Sequence, residues 1–217
     1  MTTVTKIFHS CFLVETDDAM LVFDYWRDPD GVLHNRLSAT AKTVYFFVSH
    51  FHEDHYNPGI LSWPQGKSPV APRLMLSYDT VKRRRIQAAL PTAVLRPGTA
   101  YEDELLRVVP FRSTDVGVST AVVVKRDDTR LFHAGDLNNW YFPSPEPRLK
   151  VSPREMEALF LSILRDIRKE FPRFDHVMFP VDPRLGDEMH RGPRQWQAMI
   201  ATAHFHPMHQ WESGMPF

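Results

Sequence analysis

The feature that most constrains the chain is a junction. An almost wholly apolar run, Thr43–Val48, passes without a spacer into Ser49-His50-Phe51-His52-Glu53-Asp54-His55. A strand that lacks polar alternation is buried on both faces, so it needs layers above and below it. The segment that follows has the pattern H-x-H-x-D-H. The alternative is a solvated histidine loop, but three imidazoles within six residues repel one another when charged, and a loop gains little by gathering them without a cation. Imidazole and carboxylate are good ligands for zinc and similar ions. His50 and His52, two apart on extended backbone, point to one side and can grip one ion. Asp54 and His55 come next and can hold a second. A loop positioned by a buried strand is where such a site is built.

The rest of the sequence supplies the layers. Short β-branched and aromatic runs at Thr3–Phe8, Cys11–Glu15 and Ala19–Phe23 read as strands, with a turn at Asp17-Asp18. Further strands are expected over residues 74–77, 105–109 and 176–180. Residues 117–125 and 130–133 read as a hairpin across Asp127-Asp128. Residues 152–171 form the clearest helix: Ser152 caps it, Pro153 suits its first position, and Glu155 completes a capping box. Met156, Leu159, Phe160, Ile163, Leu164 and Ile167 then make an apolar stripe. A second helix is expected over 193–203, before a short strand near Phe205. Strands first, then strand–helix–strand alternation, indicate a layered α/β (α+β) protein. No linker or repeat divides the chain, so one domain over 1–217 is expected.

Composition narrows the partners. There are 26 basic and 26 acidic residues, so no overall field gathers nucleic acid or an anionic membrane. The run Lys82-Arg83-Arg84-Arg85 reads as a solvated helix face, with an anion or nucleic-acid contact as the alternative. The single cysteine, Cys11, excludes an internal disulfide and a cysteine-rich metal site. No apolar run approaches the ~20 residues that span a bilayer, and no signal peptide is evident. The expectation is a cytoplasmic protein with a small-molecule substrate; a homo-oligomer stays open.

Several other segments bear on the same chemistry. Phe23-Asp24 ends an apolar run, His133-Ala134-Gly135-Asp136 follows another, and Pro207-Met208-His209 lies near the C-terminus. Together with H-x-H-x-D-H, their order and spacing resemble the motifs of the metallo-β-lactamase fold superfamily from about Thr3 to His209. His9-Ser10-Cys11-Phe12 is similar to the start of the branch containing ascorbate-6-phosphate lactonase-like proteins. The resemblance implies a four-layer αββα sandwich. It also implies that His50 and His52 bind a first metal, that Asp54, His55 and His209 bind a second, and that Asp136 bridges them. Asp24 would orient a ligand imidazole; His133 would not be a ligand.

The pattern departs at one point. The superfamily supplies a further histidine to the first metal, shortly before the strand at Val118, yet no histidine occurs from Tyr56 to Phe132. Either Asp115 substitutes for it, or the first metal is weak or absent and Asp115 is a turn residue. Trp140, Tyr141 and Phe142 wall a substrate pocket or pack in the core, and His190 and Arg191 are candidates to meet a substrate anion. The implied activity is hydrolysis of a small ester, lactone or phosphoester with one or two Zn2+ ions, Mn2+ and iron being the alternatives. Asp54 and Asp136 are the candidate catalytic carboxylates. An iron-dependent oxidoreductase is the rival: oxygen and nitric oxide reductases of this fold place glutamate where this chain has His52, whereas iron-bound sulfur dioxygenases keep the same H-x-H-x-D-H. A binding protein without catalysis is the other.

Overall fold

The computed structural model describes residues 2–63, 71–142 and 151–210. Among these residues, twelve strands form two six-stranded sheets. The first sheet contains β1 (Thr3–Phe8), β2 (Cys11–Glu15), β3 (Ala19–Phe23), β4 (Thr43–Val48), β5 (Arg73–Ser77) and β6 (Ala93–Leu95), in that spatial order. The second contains β7 (Tyr101–Glu102), β8 (Leu106–Arg112), β9 (Val118–Val124), β10 (Thr129–His133), β11 (Arg173–Pro180) and β12 (Ala201–Met208), again in sequence order across the sheet. Helices α1 (Val32–Ala39) and α2 (Tyr78–Arg83) flank the first sheet, and α3 (Pro153–Glu170) and α4 (Arg191–Met199) flank the second. This is the αββα order expected from the sequence.

The period-2 geometry of a strand explains the layering. Along β4, Tyr45 and Phe47 join the core between the sheets, while Val44, Phe46 and Val48 pack outward against Leu33 and Leu37 of α1. Burial of both faces is therefore what removes polar residues from this strand. On the other side, α3 buries Met156, Phe160, Ile163, Leu164 and Ile167, and its capping box is formed as expected between Ser152 and Glu155. Such a cap contributes about 1 kcal/mol.

Three differences from the sequence reading have local causes. The second helix stops at Met199 rather than 203, because Ile200 is extended and β-branched Thr202 already belongs to β12 beside β11. The basic run begins inside α2 but leaves it, since Arg85 has a positive φ of 53° that ends the helix. Helix α1, with only two buried residues and no side-chain cap, carries too faint an apolar stripe to read.

Strand direction places the site. β3, β4, β5 and β6 run parallel, as do β10, β11 and β12, and the antiparallel pairs β1–β2–β3 and β8–β9–β10 bring β1 and β8 into the same senses. The chain leaves β1 at His9, β3 at Asp24, β4 at Ser49, β8 at Ser113, β10 at Ala134, β11 at Val181 and β12 at His209. All the sequence-predicted metal-site residues follow such ends. The opposite edge carries the turns at 16–18 and 125–128, joined by an Arg126–Asp18 ion pair of 2.8 Å. Among the described residues, no helix is long and apolar enough to cross a membrane.

Candidate metal centre

Two glycines let the loops meet. Gly117 has φ +73°, and a Cβ there would lie 2.0 Å from the Ser49 carbonyl oxygen and 2.5 Å from the Cβ of His50. Gly135 has φ +53°, and its Cβ would sit 2.7 Å from that of Ser49. Only glycine accepts both the conformation and the approach. The Val118 amide donates to the Ser49 carbonyl at 2.9 Å, which ties the histidine loop to the second sheet.

The loops bring two groups of donor atoms together. One comprises His50, His52 and Asp136; the other comprises His9, Asp54, His55 and His209. Within the first, His50 Nε2 is 3.0 Å from His52 Nδ1 and 3.4 Å from Asp136 Oδ2. Around the second, His55 Nε2 and His209 Nε2 lie 3.1 and 3.4 Å from the other Asp136 oxygen, Oδ1. The Asp54 Oδ2 atom is 3.4, 3.6 and 4.0 Å from the Nε2 atoms of His9, His55 and His209. The two carboxylate oxygens of Asp136 thus face different groups. Ligands on a tetrahedral ion with bonds of ~2.1 Å are ~3.4 Å apart, so these spacings suit a small divalent cation. The Nε2 atoms of His55 and His209 and Oδ1 of Asp136 are also buried with no hydrogen-bond partner among the described residues. Buried polar atoms are ordinarily satisfied, and three such atoms converging on one point fit a cation there.

Behind the donors, a second ring of groups fixes the imidazoles. Asp24 Oδ2 accepts from His55 Nδ1 at 2.7 Å and from the Ser49 hydroxyl at 2.6 Å, while its Oδ1 accepts from the Ser49 amide at 2.7 Å. The Ser49 hydroxyl in turn lies 3.0 Å from His50 Nδ1. Asp182 Oδ2 accepts from His209 Nδ1 at 2.7 Å and is itself paired with Arg184. A carboxylate on Nδ1 holds the tautomer that leaves the Nε2 lone pair turned inward. His133 is different. Its Nε2 donates to the Ser10 carbonyl at 2.9 Å, its Nδ1 accepts from the Gly135 amide at 3.2 Å, and it stacks on Phe23. Both nitrogens are satisfied, so it belongs to neither group.

The electrostatics show a cluster short of positive charge. Burial raises the Asp136 and Asp24 carboxyls, yet the surrounding imidazoles outweigh it and both lie below the usual range, Asp136 well below. Burial lowers His55 and His209, but Asp136 reverses this for both, helped by Asp24 and Asp182 respectively, so both lie above the ordinary histidine value. His50, deeply buried and beside charged His55, is pushed down to about 3. The Asp136, Asp24 and Asp182 carboxylates thus favour positive charge at this point, which a divalent ion also supplies.

The remaining residues singled out from the sequence fall elsewhere. Asp115 is exposed on the loop before Gly117 and belongs to neither group, though it feels the charge of Asp136 and His52 across the mouth. Arg191 pairs with Glu157 at 3.0 Å and Glu188 at 3.1 Å and stacks on Tyr141, so it is neutralised within the helical layer rather than turned to a substrate. Trp140 is buried, donates to the Asp136 carbonyl at 2.9 Å and packs on His209, which makes it both core and site wall. Cys11 is fully buried and its thiol is pushed up by burial and by Asp24, so it stays protonated. Sequence reasoning missed His9, Ser49, Asp182 and Arg184 as site residues. No local signal marks His9 or Asp182: each follows a strand whose end reaches the edge of β4 and β10 only through the strand pairing.

No protein-family model matches the chain, and no curated protein matches it. Solved structures do. Igni18, a metallo hydrolase from Ignicoccus hospitalis, has a TM-score of 0.65 at 14% identity, covering 96% of this chain and 82% of its own. YhfI of Bacillus subtilis, a metallo-β-lactamase fold protein, has a TM-score of 0.52 at 10% identity, covering 96% and 81%. The chain has the metallo-β-lactamase fold. CmlA of Streptomyces venezuelae, a diiron β-hydroxylase, also matches, with a TM-score of 0.60 at 10% identity over 96% of this chain and 45% of its own. The metallo-β-lactamase fold therefore carries both hydrolytic and iron chemistry among these neighbours, and the site must decide between them.

Proposed function

We propose that this chain is a metal-dependent hydrolase acting on a small ester, lactone or phosphoester, with one or two zinc ions as its cofactor. The observation that carries this reading is the convergence of three buried atoms, from His55, His209 and Asp136, that meet one another at 3.1–3.4 Å with no hydrogen-bond partner outside the cluster, beside His50, His52 and Asp54. His50, His52 and Asp136 Oδ2 would hold one ion. Asp54, His55, His209 and Asp136 Oδ1 would hold the other. Bound there, such ions lower the pKa of a water to ~7 and polarise a carbonyl or phosphoryl oxygen.

The chain's own groups do the rest. Asp24 and Asp182 keep the His55 and His209 lone pairs inward. The Asp54 side chain, 24% exposed, is the donor group closest to solvent among the carboxylates and is placed to accept or pass a proton at its Oδ2. Trp140 excludes water on the His209 side. A groove of 390 Å³ lined by Phe51, His52, Glu53, Arg83 and Arg84 opens beside His52. Its arginines favour a substrate that carries a negative group, which revives the anion reading of the basic run. The protonated Cys11 thiol offers no covalent alternative.

The test is elemental analysis of the purified chain, followed by hydrolysis assays on lactone, ester and phosphoester panels before and after chelation. Wild type should contain metal and lose hydrolysis with it. His52→Ala and Asp136→Ala should lose both, and Lys82→Ala neither. Protein that takes up no metal after reconstitution defeats the reading. The likeness to CmlA motivates the iron alternative, and bound iron with oxygen consumption in place of hydrolysis would select it.

A further inference from the structure

We propose that His9 is a direct protein ligand of the second ion, which makes that site closed and leaves the first as the open, substrate-facing one. The inference rests on the metal-centre reading above and adds a residue that the H-x-H-x-D-H motif did not supply.

The geometry comes first. His9 Nε2 lies 3.4 Å from Asp54 Oδ2, the separation expected of two ligands on one ion. The His9 ring is 4.5 Å from that of His209 and 5.9 Å from that of His55, and all four side chains offer a donor atom to one small volume. The position is also built. The ring is edge-on to Trp26, which packs on Phe8, so the imidazole is clamped.

Backbone conformation adds an independent observation. His9 occupies the two-residue turn between β1 and β2 with φ +52°. That left-handed region favours glycine, and a side chain there costs about 1 kcal/mol. Such strain persists where the surrounding structure over-determines it, and it concentrates at ligand sites. Asp24 and His209 are also in the left-handed region, at +45° and +60°. Three residues around one cluster therefore share a conformation that, among the described non-glycine residues, recurs only at Arg85 and Asp128.

Burial decides between ligand and substrate contact. The His9 side chain has no solvent exposure and lies among Asp54, His55 and His209, so it faces the second group rather than the surface. It brings the second group to four side chains besides the shared Asp136 oxygen. The second ion would then have His9, Asp54, His55, His209 and one oxygen of Asp136. The first has His50, His52 and the other oxygen. Three protein ligands leave a position free, whereas a full set does not. The first group is also the one beside the groove, through the half-buried His52. The histidine absent between Tyr56 and Phe132 on the first ion is thus balanced by one gained on the second.

The test compares metal-free wild type, His9→Gly and His9→Asn, titrated with Co2+ against a competing chelator. Glycine removes the ring while suiting the backbone. Asparagine tolerates the turn and can still hydrogen-bond to Asp54. Wild type should fill a tight site before a weak one. Both variants should weaken the tight step by about 100-fold or more, beyond the usual effect of losing an outer partner. Proton NMR of the Co2+ form should show one fewer hyperfine-shifted imidazole N–H, and added imidazole should restore the tight step in His9→Gly. An unchanged tight step in His9→Gly overturns this inference alone and leaves the hydrolase reading standing. Full affinity in His9→Asn also overturns it, because His9 would then only position Asp54. Wild type that binds no metal overturns both.

Discussion

Replacing Asp24 by asparagine separates the residue's part in folding from its part in metal binding. Its carboxylate accepts three short hydrogen bonds within 2.6–2.7 Å: two on Oδ2, from His55 and the Ser49 hydroxyl, and one on Oδ1, from the Ser49 amide. An amide cannot accept at both ends. With its oxygen at the Oδ2 position, its NH2 faces the Ser49 N–H. With its oxygen at Oδ1, its NH2 faces His55. Either way one charge-assisted bond becomes a buried donor–donor contact, and a hydrogen bond to a charged group is worth about 1.5–3 kcal/mol. Metal-free Asp24→Asn should therefore lose roughly 3 kcal/mol in urea unfolding. The second orientation also inverts the His55 tautomer and turns an N–H toward the ion. Losing such an outer partner costs about 10- to 100-fold in affinity. That equals roughly 1.4–2.7 kcal/mol, so metal should protect the variant less by that amount. Chelator competition and urea unfolding, with and without Zn2+, measure the two effects separately. A variant that loses stability yet binds metal like wild type would refute the idea that Asp24 orients His55.

Gly117→Ala should destabilise by about 3 kcal/mol or more, because its Cβ would lie 2.0 Å from a backbone oxygen at positive φ. For a chain of this size that lowers Tm by roughly 6–12 °C, and a melting point within about 2 °C of wild type would contradict the packing argument. Asp103 supplies a pH signature away from the metal centre. Burial raises its carboxyl, but the amides of Leu106 and Leu105 and the hydroxyls of Tyr45 and Tyr101 bring it below the usual range. A depressed folded value stabilises above the unfolded pKa of ~3.9 and is lost as pH falls through the folded one. Asp103→Asn should therefore be less stable than wild type at pH 7, and the gap should narrow in acid below about pH 4; a gap that is constant with pH would exclude the linkage. Asp115→Ala should weaken the first ion by less than about tenfold, because Asp115 lies outside both donor groups and sits in solvent. A larger loss in stepwise chelation would make it a ligand.

Much of this architecture was legible because local signals agreed with the global fold. The doubly apolar β4, the capped stripe of α3 and the Asp127-Asp128 hairpin each carry their own periodicity or turn chemistry. H-x-H-x-D-H is equally local, since four of its residues meet within one loop. His9 was not legible as a site residue. It stands more than forty positions before His50, and only the antiparallel β1–β2–β3 pairing turns it to the same edge. Asp182 was hidden for the same reason: its partner His209 reaches it through the parallel β11–β12 pair. Helix α1 was missed for a different cause, a stripe of only two buried leucines.

The two edges of the sheets divide labour in a way an experimenter can use. Every donor atom hangs from strand ends that point one way, while the 16–18 and 125–128 turns lie at the other edge and carry surface ion pairs such as Arg126–Asp18. Exposed turns with few packed contacts tolerate insertion. A peptide tag or fluorophore placed between Asp127 and Asp128 would be separated from the donor cluster by the length of β9 and β10. It would tether the protein to a surface with its mouth facing outward, or report unfolding without quenching by bound metal.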